Sequence, residues 1–538
     1  MTTDTTPART LQGIPDIRLF FHRNETPIYF ISATNFNLLG IDEWVRNFHY
    51  ISYIDCFDGQ HPSVVSPSEM PHRPFTSIED INNYLLEHKE VVDEIRSRTK
   101  DGVAGKAVFL FFDEQTEALC EQLGLEVCFP KASLRQEIDN KIMTTRIGDR
   151  AGIDSVPNVL ANLKSYQQMR ELTGKLGEDV VIQTAYGDSG HTTFFISSVP
   201  NVLANLKSYQ QMRELTGKLG EDVVIQTAYG DSGHTTFFIS NEEEWNKHAD
   251  EIIADPEVKI MKRIRCRGAA QEACVTRHGT IVGPLMTELV GFKELTPYRG
   301  GWCGNEVLAE AFSQDVRNKA CDMTFRFGEE LRKMGYRGYF ELDFLRDLDT
   351  DELYLGEVNP RVTGASAMTN LAAFAHADAP LFLFHLLEWA GVDFELDVAD
   401  LNRRWSDPHN IDSWGQLVIK HTGDSVELIT SAPMTGIWRL HDDGSVEYVR
   451  MQTHRRTVES ENQAFFLRIS KPGDYKYEGA DLGILITPGR LMTEDFELND
   501  RARAWTNGIL SQFVSRPIEP AEVEVSAQVA EVGSFKMM

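Results

Sequence analysis

The run 340–361, FELDFLRDLDTDELYLGEVNPR, gathers carboxylates at a spacing suited to holding a metal ion. Glu341 and Asp343 alternate with Phe340, Leu342 and Phe344, so a strand projects both carboxylates from one face. Glu357 and Asn359 repeat the two-residue period in a second apolar run, and Arg361 continues it. The acidic turn 347–352 joins the runs, and the predicted unit is a hairpin. Antiparallel pairing sets carboxylates of the two strands opposite each other, which destabilises a sheet unless something neutralises them. A hard divalent cation does so. Mg²⁺ prefers oxygen ligands, typically one or two carboxylates with substrate phosphates completing the octahedron. Asp343, Glu357 and the Asn359 amide oxygen form such a set, for Mg²⁺ or Mn²⁺, and Arg361 adds a fixed cation for a phosphate or carboxylate. A solvated acidic hairpin is the plainer alternative, and it suits the turn itself.

The elements that must position this hairpin lie upstream. In 130–158 a helix around Lys141 ends near Gly152, and Pro157 opens the next segment. Residues 155–197 and 198–240 are then identical, a 43-residue stretch written twice. Diverged repeats in three or more copies mark solenoids, whereas one perfect copy reads as a duplication. Each copy predicts a helix, a strand, the loop YGDSGHT and a second strand. The loop carries Gly187, Asp188, Ser189, Gly190 and His191, then again Gly230, Asp231, Ser232, Gly233 and His234. Glycines let successive backbone N–H groups approach an anion, although GDSG alone also fits a plain hairpin turn. The second copy runs directly into the helix predicted after it, so the first is expected to bulge.

Taken together, GEVNPR after an LDF strand, the lysine helix and the glycine loop between strands resemble the ATP-grasp superfamily, in its biotin-carboxylase-like form. The resemblance implies a mixed α/β (α+β) fold with an N-terminal α/β domain, a nucleotide lid, a central metal-binding domain and a β-rich C-terminal domain. It implies ATP and Mg²⁺ as cofactors. Lys141 would reach the phosphates, and Gly187, Ser189 and Gly190, or Gly230, Asp231, Ser232, Gly233 and His234, would cradle them. A lysine common in the strand before that loop is replaced by Gln183 and Gln226. The run IMKRI aligns with the strand that packs against adenine, placing Lys262 beside the base, and Glu272 on the next strand faces the site. Asn359 and Arg361 become catalytic positions.

On these markers 1–13 is a disordered start, 14–130 an N-terminal α/β domain, 131–265 the lid region, 266–395 the central domain, 396–515 the β-rich domain and 516–538 an acidic tail. Strands are expected at 16–21, 27–32, 49–55 and 107–112, helices at 77–99 and 113–124, a substrate lid at 291–306, and a long helix from 306 to 336.

The 538 residues carry 53 Lys+Arg against 81 Asp+Glu, a net charge of −28. Such a chain repels nucleic acid and anionic membranes, so neither is an expected partner. The seven cysteines form no CxxC pair and fit free thiols in a reducing cytoplasm. The implied activity is an ATP-dependent ligase that activates a small carboxylate as an acyl phosphate for attack by an amine. A homodimer is left open. Carboxylation of the biotin-carboxylase type is the nearest alternative. Against it, Ala365 stands four residues past Arg361, where that family has a glutamate base, and no AMKM-type attachment sequence occurs. A catalytically degenerate ATP-binding regulatory module is the third reading.

Overall fold

The structure, a computed structural model, describes residues 10–68, 75, 77–100, 102–155, 181–182, 223–226, 236–239, 259–260, 265–298, 300–371, 378–453 and 458–518. Gln183, the loop residues Gly187, Ser189, Gly190, Gly230, Asp231, Ser232, Gly233 and His234 of the expected lid, and Lys262 lie outside these residues. From the first copy, Val181–Ile182 lies parallel to Lys259–Ile260. From the second, Val223–Gln226 pairs antiparallel with Thr236–Ile239.

The N-terminal part is a five-stranded parallel sheet in the order Val64–Val65, Phe48–Ser52, Ile28–Ser32, Gly105–Phe109, Leu125–Val127. Ile28–Ser32 and Phe48–Ser52 are buried throughout. That is the pattern of strands covered on both faces, and it explains their unbroken apolar runs. From Ile28–Ser32 the chain moves to one side of the sheet, and from Gly105–Phe109 to the other. The switch therefore lies between these two strands, where open α/β sheets bind ligands at the carboxyl ends. The residues emerging there include Asn37 and Phe111.

The rest is dominated by a ten-stranded antiparallel sheet: Leu353–Asn359, Gly338–Asp347, Cys266–Thr276, Gly279–Val290, Trp302–Val307, Trp414–Lys420, Asp481–Pro488, Gln463–Arg468, Gly436–Leu440, Val446–Arg450. It runs without a break from the carboxylate hairpin into strands beyond residue 396. The helix Gln314–Lys333 buries Val316, Ala320, Met323, Phe327 and Leu331 against Phe340, Leu342 and Phe344 of the hairpin. With the phenylalanines and leucine committed to that core, the alternation of the strand turns Glu341 and Asp343 to the opposite face.

Four sequence expectations change. Residues 16–21 belong to a helix, Gly13–His22, in which Ile17 and Phe21 are buried and Leu19 is exposed; the burial period is four, not two. The helix expected at 77–99 is two, Ile78–Glu87 and Lys89–Arg98, broken at His88, whose backbone is extended and whose ring accepts a hydrogen bond from Glu90 N. The long helix starts at Gln314, where the Ser313 hydroxyl accepts from Val316 N at 3.2 Å, a cap worth about 1 kcal/mol. Within the stretch expected to form a lid, Trp302–Val307 is an inner strand of the large sheet. Gly304 permits this: its φ is +139°, and a Cβ there would overlap the Gln416 carbonyl oxygen.

Candidate functional site

The hairpin pairs in the register its alternation predicts. Asp343 lies directly opposite Glu357, and Glu341 opposite Asn359. A register shift beside Asp343 accommodates Gly356, which packs against the Asp343 backbone. The next strand places Glu272 opposite Glu341. Glu288, one strand further, reaches over Gly268, where a Cβ would collide with its carboxylate. Five carboxylates, Glu272, Glu288, Glu341, Asp343 and Glu357, thus share one face of the sheet.

Burial and mutual repulsion shape their titration. Burial, then the charges of Glu341, Glu288 and Glu357, hold the Asp343 carboxyl well above the usual carboxylate range, opposed by a hydrogen bond from Asn359. Burial, then Glu272 and Glu288, raise Glu341 likewise. Burial, then Glu357, push Glu288 up to about 7. Burial is the first cause in all three, and the neighbouring carboxylates add to it.

Two cations border it. Lys141, the first residue of the helix Lys141–Ala151, brings its Nζ to 3.5 Å from Glu357 Oε2. Arg361 donates to Asn359 Oδ1 at 2.7 Å, and its guanidinium carbon lies 4.3 Å from the Phe111 ring centroid. That cation–π contact is worth about 1 kcal/mol and ties the arginine to the edge of the parallel sheet. Asn359 Nδ2 donates to Asp343 at 2.9 Å and Glu341 at 3.4 Å. As oriented here, Asn359 therefore offers nitrogen to the acids and oxygen to Arg361. Among the described residues no group of three or more His, Cys, Asp or Glu side chains is arranged to hold an ion by itself. Two carboxylates that leave the remaining positions to phosphate oxygens and water suit Mg²⁺ better than a closed protein cage. The donor set therefore fits that ion.

Glu272 has a different task. It is fully buried and accepts hydrogen bonds from the hydroxyls of Tyr339 (2.5 Å), Thr363 (3.1 Å), Ser366 (2.5 Å) and Thr369. Burial raises its pKa while these bonds oppose the rise. Glu272 thereby anchors 363–369, the segment just after Arg361. Its place facing the site was readable from the strand, but its four partners were not. Glu288, in an apolar strand, was passed over; the alternation MTELV carries the signal.

No family model matches the chain, and no curated protein matches its sequence. Solved structures do resemble it. Biotin carboxylase from Campylobacter jejuni, in complex with a β,γ-ATP ligand, superposes with a TM-score of 0.54 at 12% identity, over 92% of this chain and 93% of that one. The biotin carboxylase domain of 2-oxoglutarate carboxylase from Hydrogenobacter thermophilus, with MgADP and bicarbonate, gives 0.52 at 11% identity over 96% and 97%. Rhizobium etli pyruvate carboxylase gives 0.52 at 13% identity, covering 95% of this chain and 40% of that one. With its parallel N-terminal sheet, carboxylate hairpin and long antiparallel sheet, this chain has the ATP-grasp fold that these biotin carboxylase structures share.

Proposed function

We propose that the protein is an ATP-dependent ligase that joins a carboxylate to an amine through an acyl phosphate. The observation that carries this reading is Asp343 directly opposite Glu357, on a sheet face that gathers five carboxylates and is bordered by Lys141 and Arg361. Such an arrangement is costly for the protein alone and matches a metal–phosphate ligand. Asp343 and Glu357 would hold Mg²⁺, with Asn359 as a third oxygen ligand once its amide is turned over. Bound there, Mg²⁺ would neutralise charge on the nucleotide phosphates.

The chain's own residues do the rest. Lys141 sits where it can pass from Glu357 to a phosphate oxygen. Arg361, fixed over the Phe111 ring, would present a preorganised cation to the substrate carboxylate and to the phosphoryl group it receives. The carboxylate oxygen bonds to the γ-phosphorus as the bond to ADP breaks, and the amine nitrogen then attacks the acyl carbon. A C–N bond forms, the C–O bond to phosphate breaks, inorganic phosphate leaves, and the nitrogen releases a proton to solvent. Positioning and charge are the whole of the protein's contribution, so no nucleophilic side chain is required.

A carboxylation reading draws on the likeness to biotin carboxylases. It lacks a base at Ala365, and Glu272, the carboxylate bonded to this segment, is committed to four hydroxyls. ADP release measured with pools of carboxylates and amines tests the assignment. Turnover that needs both pools supports the ligase. Turnover with bicarbonate and free biotin alone would assign a carboxylase, and nucleotide binding without turnover in any pool would assign a regulatory module.

A further inference from the structure

Three carboxamides from three different elements converge on the turn that follows Arg361. Asn37, at the carboxyl edge of the parallel sheet, donates through Nδ2 to the Thr363 carbonyl at 2.9 Å. Gln416, on the strand Trp414–Lys420, donates through Nε2 to the Gly364 carbonyl at 2.8 Å and to Asn305 Oδ1 at 3.2 Å. Asn305, on the strand Trp302–Val307, accepts a second bond at Oδ1 from the Trp302 indole at 3.1 Å. These partners fix how each amide is turned. An Asn305 flip would set its NH₂ against two donors, and a flip of Asn37 or Gln416 would set oxygen against a carbonyl. The atoms left over are therefore defined, and all three are buried without a partner: Asn37 Oδ1, Gln416 Oε1 and Asn305 Nδ2.

Leaving such atoms unpaired is unfavourable, so a water or a ligand group is expected to complete them. Here the leftover set is two acceptors and one donor, all neutral. It borders a turn that is open to solvent, since Gly364 and Trp302 are partly exposed. An added Cβ at Gly364 would overlap the Trp302 ring, so the indole closes over the turn. Glu288 lies directly opposite Asn305 on the neighbouring strand, which disfavours an acidic or phosphorylated group.

We propose that Asn37, Asn305 and Gln416 form the subsite for the second substrate, and that this substrate is an amine whose remainder is uncharged and bears a carbonyl or hydroxyl beside the nitrogen. The two amide oxygens accept from the amine and Asn305 Nδ2 donates to its oxygen neighbour, next to the carboxylate assigned to Arg361. This deepens the ligase reading and rests on it for the word substrate; the binding site itself stands on the unpaired atoms.

The test is saturation-transfer NMR on the full chain with Mg²⁺ and a non-hydrolysable ATP analogue, using glycinamide, ethanolamine, glycine and phosphoethanolamine as probes. Glycinamide and ethanolamine should bind, and glycine and phosphoethanolamine should bind at least tenfold more weakly. Asn305→Asp replaces only the unpaired donor with an acceptor and keeps the oxygen that Trp302 and Gln416 use, so it should weaken glycinamide at least tenfold. Asn37→Ala is the second variant, with circular dichroism confirming the fold of both. Binding of glycinamide that neither variant alters, or a preference for phosphoethanolamine, overturns the proposal. So does a bridging water only, meaning ordered water on all three atoms in a crystal with no probe bound. Probe binding lost in both variants, with no ADP release in any substrate pool, keeps the site and discards the ligase.

Discussion

Single residues carry most of the chemistry, and the acids are the first to test. Glu357→Gln should lower the affinity for Mg²⁺–nucleotide by about 100-fold, read by calorimetry. Its metal-free melting temperature should hold or rise, because one like charge leaves the cluster. Glu272→Ala strips four hydroxyls of their acceptor and should cost about 3 kcal/mol in urea unfolding, with Glu272→Gln recovering much of it. His385 gives a pH signature. It is fully buried, its Nδ1 accepts from Tyr339 N at 3.0 Å, and burial pushes its pKa down to about 3. Its neutral form supports the fold above the unfolded value of 6.5, and that support is lost as pH falls from there toward 3, at about 1.4 kcal/mol per unit. Denaturant midpoints should therefore drop between pH 7 and pH 5, and His385→Asn should flatten the drop; an equal slope in the variant would count against the buried neutral ring. At this scale the sequence was informative where alternation alone decides direction, as at Asp343 and Glu357. It was silent on Phe111 under Arg361 and on the carboxamides around Thr363, because those contacts join segments distant in the chain, 52 residues apart for Gln416 and Gly364 and 326 for Asn37 and Thr363.

Elements decide where those residues meet. The hairpin was readable because Phe340, Leu342 and Phe344 must face the helix Gln314–Lys333, which leaves the acids only one direction. Trp302–Val307 was misjudged because glycines and charge look like a loop from the letters, whereas Gly304 is there to let two strands approach. The helix Gly13–His22 was misread because Ile17, Leu19 and Phe21 alternate on paper, and only burial shows that Leu19 faces water. The turn after Arg361 depends on one such close approach. Gly364→Ala should force the turn away from Trp302 and lower kcat by about 100-fold while leaving Mg²⁺–nucleotide affinity near wild type. Steady-state kinetics beside calorimetry would show this, and an unchanged kcat would detach the turn from the reaction.

At the level of the whole molecule, the parallel sheet and the long antiparallel sheet converge on Arg361 and the turn after it, one through Phe111 and Asn37, the other through Asn359 and Gln416. The general fold was legible because its motifs are local: the lysine helix, the glycine loop and GEVNPR each occupy a short run. The proposed carboxylate and amine were not legible, since side chains from three distant stretches would shape their site. The identical copies 155–197 and 198–240 add length without new chemistry, and deleting 155–197 should leave activity at least equal to that of the full chain; a marked loss would show that the extra copy has a purpose. Asp343 and Glu357 are proposed to hold a metal–nucleotide complex. Electron paramagnetic resonance of Mn²⁺ titrated with ATP into the protein tests it most directly. A bound Mn²⁺ signal that requires ATP and disappears in both Asp343→Asn and Glu357→Gln is expected. Nucleotide that binds equally well in EDTA, or a Mn²⁺ signal unchanged in both variants, would contradict it.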